Sequence, residues 1–121
     1  MKLLRREDPS GGYWVFYCPG CQELHPFDKR WSFDGNLEAP TFLPSLRMGP
    51  YWRMPPGWDP EEAKARGESL ENDPATGRLP GAVEWACHLF LRTGHLEFLS
   101  DCSHELAGKT VDLPELPDWA L

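Results

Sequence analysis

Alternation of apolar and polar residues is clearest near the C-terminal end of the 121-residue chain. Residues 83–91 and 95–101 are strand-like runs, and Thr93-Gly94 between them suits a two-residue turn. This turn places Arg92 opposite His95 and predicts a β-hairpin with a fixed register. One face of the hairpin faces the core and carries Trp85, Cys87, Leu89, Leu91, Leu96, Phe98, Ser100 and Cys102.

The first third of the chain predicts short strands and turns. The aromatic and β-branched run 13–17 predicts a buried strand, and Asp34-Gly35 predicts a hairpin turn between 31–33 and 36–38. Prolines 40 and 44 limit segment 40–46 to an edge strand or an ordered loop. There Thr41 and Ser45 are expected to hydrogen-bond the backbone and to be nucleophiles only if a base lies close.

Residues 47–82 are rich in proline and predict an insertion in a single domain that spans residues 1–121. One helix is predicted inside it, because Asp59 suits an N-cap and Pro60 suits the first helical position. The apolar face of this helix is thin, so we expect it on the surface.

The strongest chemical signal is Cys18-Pro19-Gly20-Cys21, a C-x2-C element at the end of a predicted strand. The Pro-Gly bend directs both sulfurs at one atom, which is typical of a zinc knuckle. A redox pair of this spacing would begin a helix, and no helix is predicted after Cys21.

The predicted hairpin supplies a second pair of ligands. Cys87 and Cys102 share its core face, one diagonal step apart, so the sequence predicts a structural Zn²⁺ held by Cys18, Cys21, Cys87 and Cys102. His104 is the alternate fourth ligand. His88 is the weaker candidate because it lies on the opposite face from Cys87, and His25 and His95 are expected at the surface.

Charge and hydropathy exclude several classes of protein. The formal net charge is −7 with scattered basic residues, which disfavours nucleic-acid partners. There is no apolar run long enough for a membrane span and no signal-peptide core, so we expect a cytoplasmic protein without membrane partners. Isoleucine is absent, and Asn and Gln are rare, which suits a thermophilic source, although a GC-rich genome gives much the same bias.

Several motifs in order resemble a family of small phage and prophage proteins of unknown function, whose members are often labelled "ammonia monooxygenase" in genomes. The resemblance covers about residues 13–46 and 83–114. It implies a phage or prophage origin and a compact zinc-binding domain, and it keeps His88 and His104 as ligands or functional groups. The motifs that carry it are Tyr17-Cys18-Pro19-Gly20-Cys21, 31–36, 40–45, Cys87-His88-Leu89-Phe90 and 101–114.

Together these features predict a β-rich α+β domain with an N-terminal knuckle, a C-terminal β-hairpin and one or two short helices. The closed metal site and the lack of familiar catalytic motifs favour a non-enzymatic phage accessory protein that binds a host or virion protein. One alternative is a small zinc-dependent hydrolase using His88, Asp101 and His104. A second is a RING-like or treble-clef adaptor.

Overall fold

The computed structural model describes all 121 residues, which form two antiparallel sheets. The first sheet has the strand order β1 (Leu4–Arg6), β2 (Tyr13–Cys18) and β3 (Glu23–Asp28). The second sheet follows chain order through β4 (Ser32–Phe33), β5 (Phe42–Arg53), β6 (Val83–Arg92), β7 (His95–Phe98) and β8 (Thr110–Asp112). The helices are α1 (Pro60–Ala65) and a 3-10 turn at Asp118–Ala120. The predicted β-rich α+β class is confirmed.

The hairpin of β6 and β7 has the predicted register. Arg92 pairs with His95 and Leu89 with Phe98, around a turn in which Thr93 and Gly94 both have positive φ. Along β6 the side chains alternate between buried and more exposed, so the predicted apolar face does face the core. Regular pairing ends at Phe98, earlier than predicted, and the chain then turns.

Strand β5 corrects two predictions about the first half of the chain. It lies between β4 and β6 and is therefore not an edge strand. Its prolines, Pro44 and Pro50, fall at its two register shifts, where a missing N–H does not interrupt the ladder. Asp34-Gly35 does not form a hairpin turn either, because β4 pairs with β5 across a longer loop. The Asp34 carboxylate accepts hydrogen bonds from the backbone N–H groups of Asn36 and Thr41 within that loop.

One hydrophobic core joins the two sheets. A stack of aromatic rings crosses between them. The ring centroids of Phe27 in β3 and Phe42 in β5 are 4.2 Å apart, and those of Phe42 and Phe33 in β4 are 4.5 Å apart. The inward face of β6 packs against the same cluster. The core thus fixes the first sheet against the strands that carry the polar site described below.

The proline-rich segment divides into two parts. Residues 47–53 complete β5, whereas α1 begins at Pro60 with Asp59 as its N-cap, as predicted. The Asp59 carboxylate accepts a hydrogen bond from the Glu61 N–H at 3.0 Å. The description of 47–82 as an insertion in one domain stays a prediction.

No helix of the protein combines the length and apolar character needed to cross a membrane.

Candidate functional site

Ser45, His88 and Asp101 form a hydrogen-bonded chain on the outer face of the second sheet. The Ser45 Oγ lies 3.1 Å from His88 Nε2, and His88 Nδ1 lies 3.3 Å from Asp101 Oδ2. Both ring nitrogens of the histidine are therefore engaged, one by a hydroxyl and one by a carboxylate. In the tautomer of His88 that carries its proton on Nδ1, Nε2 accepts from the Ser45 hydroxyl and the Nδ1–H donates to Asp101, which are the contacts of a serine–histidine–aspartate triad.

Asp101 is held as an anion by its partners. Its Oδ2 also accepts a hydrogen bond from Arg47 Nη1 at 3.0 Å. Desolvation acts to raise the pKa of Asp101, but the hydrogen bond and charge of His88, with the charge of Arg47, lower the pKa overall. An ionised Asp101 can orient His88 and stabilise its protonated form.

The pairing of β5 with β6 brings Ser45 to His88. Arg47 lies directly opposite His88, and Ser45, two residues earlier on the same face, is the diagonal neighbour of His88. Ser45 falls inside the register shift between Phe42 and Leu46, where a bulge re-aims side chains. The Trp31 indole N–H donates to the Ser45 carbonyl at 3.1 Å and anchors this bulge.

A second cluster lies on the buried side of β6. Cys18, Cys21, Cys87 and His104 are all buried, and their donor atoms lie within 4.8 Å of one another, so they could hold a metal ion. The Cys18 and Cys87 sulfurs are 4.0 Å apart, and Cys87 Sγ lies 3.4 Å from His104 Nε2. Cys87 and His88 are adjacent in the strand and point to opposite faces, which separates this cluster from the triad.

Close contacts among the sulfurs shift the pKa values of the three clustered thiols in different directions. Hydrogen bonds from Cys18 and then Cys87 lower the pKa of Cys21, and the indole N–H of Trp85 also points at its sulfur at 3.2 Å. The contact with Cys21 raises the pKa of Cys18, and the contacts with Cys18 and then Cys21 raise the pKa of Cys87. Burial lowers the pKa of His104, which favours the neutral imidazole that binds metals.

Cys102 is not part of this group, contrary to the predicted set of four cysteines. Its Sγ instead donates to the His88 carbonyl at 3.1 Å and accepts from the His88 N–H at 3.3 Å. The prediction extended strand pairing to Cys102, whereas the chain leaves the ladder after Phe98 and turns. The alternate ligand His104 occupies the fourth place. It lies in a turn, so the predicted short helix over 104–107 does not form.

His25 is buried and not at the surface as predicted. It is fully inaccessible, neither of its ring nitrogens has a hydrogen-bond partner, and it belongs to a second close group with Cys21 and Glu23. Gly20 of the knuckle lies directly against the His104 ring, leaving no room there for a Cβ. The knuckle is thus shaped to admit an imidazole beside its sulfurs.

The residues of the hydrolase alternative separate in the structure. His88 and Asp101 come together, but His104 lies with the cysteines on the other side of β6. Ser45 was expected to bond the backbone and to be a nucleophile only if a base lies close, and the structure does place His88 beside it. The alternation in β6 indicates that His88 points outward. It does not indicate that Ser45 lies beside His88, because prolines interrupt β5 and its register against β6 cannot be predicted from the sequence. Thr41 does bond the backbone as predicted, accepting from the Thr93 N–H at 2.8 Å.

Comparison with known protein families gives a match that covers most of the chain. The model of a family described as bacterial ubiquitination-like system serine protease (BubE) matches residues 2–99. Ser45 and His88 lie inside the matched range, which continues through the proline-rich segment, and Asp101 follows two residues beyond it. No curated protein and no solved structure matches the chain significantly.

This match corrects the predicted function. A family named for a serine protease contradicts a non-enzymatic phage accessory protein. The hydrolase alternative was closer, but it assigned the chemistry to a metal. Neither the phage origin nor the thermophilic source gains support. The predicted protein partner and the predicted absence of nucleic-acid and membrane partners stay predictions.

Proposed function

The chain belongs to the BubE family, and we propose that it is a serine protease in which Ser45 is the nucleophile, His88 the general base and Asp101 the residue that orients His88. By the name of its family, it would act in a bacterial ubiquitination-like system. The observation that carries the proposal is the continuous contact of Ser45 Oγ with His88 and of His88 with Asp101.

The proposed reaction is acyl transfer through the Ser45 hydroxyl. As Ser45 Oγ attacks the carbonyl carbon of the scissile bond, His88 Nε2 takes the hydroxyl proton. The protonated His88 then gives that proton to the leaving amine, the carbon–nitrogen bond breaks, and an ester remains on Ser45. A water molecule, deprotonated by the same nitrogen, hydrolyses the ester and restores both side chains.

The separation of the two clusters argues for a metal that supports the fold and takes no part in the reaction. We propose that the metal is Zn²⁺, bound by Cys18, Cys21, Cys87 and His104. Three thiolates and one imidazole are a common closed zinc set, which leaves no position for a reactive water. The ligands come from the first sheet, from β6 and from the segment after β7, so the ion would cross-link the fold beneath the triad.

A fluorophosphonate probe tests the proposed nucleophile because it phosphonylates a serine activated by a neighbouring base. The wild-type protein is expected to take up one probe per chain. Ser45→Ala is expected to abolish labelling, and His88→Ala to slow it by about 10³-fold or more. The readout is the rate of probe incorporation at fixed pH and protein concentration.

Ser32→Ala is the matched control for this experiment. Ser32 lies in the neighbouring strand, and its hydroxyl donates to the Leu43 carbonyl at 3.4 Å and not to a histidine. It should label like the wild type. Undiminished labelling of Ser45→Ala would contradict the proposed function.

A further inference from the structure

Cys102 is the one cysteine outside the metal cluster, and it contacts the candidate base directly. Its buried thiol accepts a hydrogen bond from the His88 N–H at 3.3 Å and donates one to the His88 carbonyl at 3.1 Å. Both polar groups of the His88 backbone are therefore bonded to a single side chain. Because Cys102 directly follows Asp101, one short segment contacts both the backbone and the ring of His88.

The segment that carries Asp101 is docked on β6 without regular strand pairing. The Leu99 N–H donates to the His88 carbonyl at 2.9 Å, and Ser103 exchanges two hydrogen bonds of 2.8 Å with the backbone of Ala86. Between these points, at residues 100–102, the turn places the Asp101 carboxylate beside the His88 ring. The thiol of Cys102 is the side chain that bonds this turn to the backbone of His88.

We propose that Cys102 is a positioning residue of the triad: its thiol holds the His88 backbone and keeps the imidazole in register with Asp101. This role rests on the proposed protease function. Cys102 touches neither the nucleophile nor a substrate, so it acts through His88. Removing the thiol frees the His88 N–H and loosens the turn, and a small displacement of a catalytic group slows a reaction strongly.

The test measures fluorophosphonate labelling over a range of probe concentrations, which separates the limiting labelling rate from the apparent affinity for the probe. Cys102→Ala is expected to lower the limiting rate by about 10-fold or more and to change the affinity by less than about twofold. Its bound metal, measured by elemental analysis, should equal that of the wild type. Cys102→Ser should recover most of the rate, because a hydroxyl also donates and accepts.

Ser103→Ala is the matched control for a general loss of loop stability. It removes a side-chain hydrogen bond from the same segment to the same strand, but the bond is to Ala86 and not to His88. The melting temperature of Ser103→Ala should fall, while its limiting labelling rate should stay close to that of the wild type. An equal loss of rate in both variants would overturn the positioning role.

Two other results would also overturn the proposal. One is a wild-type limiting rate in Cys102→Ala, and the other is loss of the metal from Cys102→Ala, which would make Cys102 a ligand. If Cys102→Ala does not fold, Cys102→Ser decides: full metal content with a rate near wild type supports the role, and metal loss overturns it. A wild-type protein that is not labelled at Ser45 identifies failure of the proposed function itself.

Discussion

Asp101 shares one carboxylate oxygen between His88 and Arg47, and this residue carries the sharpest prediction at the scale of single side chains. Asp101→Asn preserves the shape of the side chain but removes its negative charge, and its amide can favour the wrong tautomer of His88. We expect fluorophosphonate labelling to slow by about 10³-fold or more. The melting temperature should change little, because Asp101 is about half exposed.

Asp112→Asn is the control for this prediction. Asp112 also contacts a histidine, His95 Nδ1, at 2.9 Å, but at an exposed position remote from Ser45. Labelling of Asp112→Asn should match the wild type. If Asp101→Asn also labels at the wild-type rate, Asp101 does not orient the base.

Gly20 carries a second prediction at the residue scale. A Cβ at this position would overlap the buried His104 ring, so Gly20→Ala should displace His104 from the three cysteines. We expect bound metal per chain and melting temperature both to fall, measured by elemental analysis and thermal unfolding.

Gly57→Ala is the control for this prediction, since Gly57 has φ +84° but open space around it. It should cost about 1 kcal/mol of stability and retain the metal. Metal retention by Gly20→Ala would contradict the proposed ligand role of His104.

At the scale of secondary structure, the bulge in β5 determines where Ser45 points. Trp31→Phe keeps an aromatic ring against Phe27 but removes the N–H that bonds the Ser45 carbonyl. Losing one hydrogen bond of about 1 kcal/mol at the nucleophile should slow labelling about 3- to 10-fold. Trp119→Phe, at an exposed ring distant from β5, should leave the rate unchanged. Equal rates for Trp31→Phe and the wild type would show that this anchor is dispensable.

The elements that could be predicted from sequence are those whose signals are local. Alternation and the Thr93-Gly94 turn define the hairpin of β6 and β7, and C-P-G-C defines the knuckle. The position of Ser45 depends instead on pairing with residues more than 40 positions away, through a strand that two prolines interrupt. Likewise, Cys102 and His104 exchange their predicted places because strand pairing stops at Phe98, and no local pattern marks that end.

At the scale of the whole molecule, the aromatic core joins the first sheet to the second, and the proposed metal ion would join them at a second place. Segments 87–88 and 101–104 each carry a member of the metal cluster and a member of the triad. Loss of the proposed ion would therefore disturb the proposed protease site without any contact between metal and substrate.

Chelation tests this connection. Removing the metal from the intact protein should lower the melting temperature by about 10 °C or more and abolish labelling, because metal binding contributes to folding free energy. Zn²⁺ should restore both properties. Co²⁺, which also accepts tetrahedral sulfur and nitrogen ligands, should restore a similar labelling rate, since the ion does not enter the reaction. Labelling that is unaffected by metal removal would contradict the structural connection.

The most direct test of the central claim is to locate the probe on the wild-type protein. After treatment with a fluorophosphonate, digestion and tandem mass spectrometry identify the modified side chain. The proposed triad predicts a single phosphonyl adduct on Ser45, absent after prior unfolding of the protein. An adduct on another serine, or none on the folded and metal-loaded protein, would contradict the assignment of Ser45 as the nucleophile.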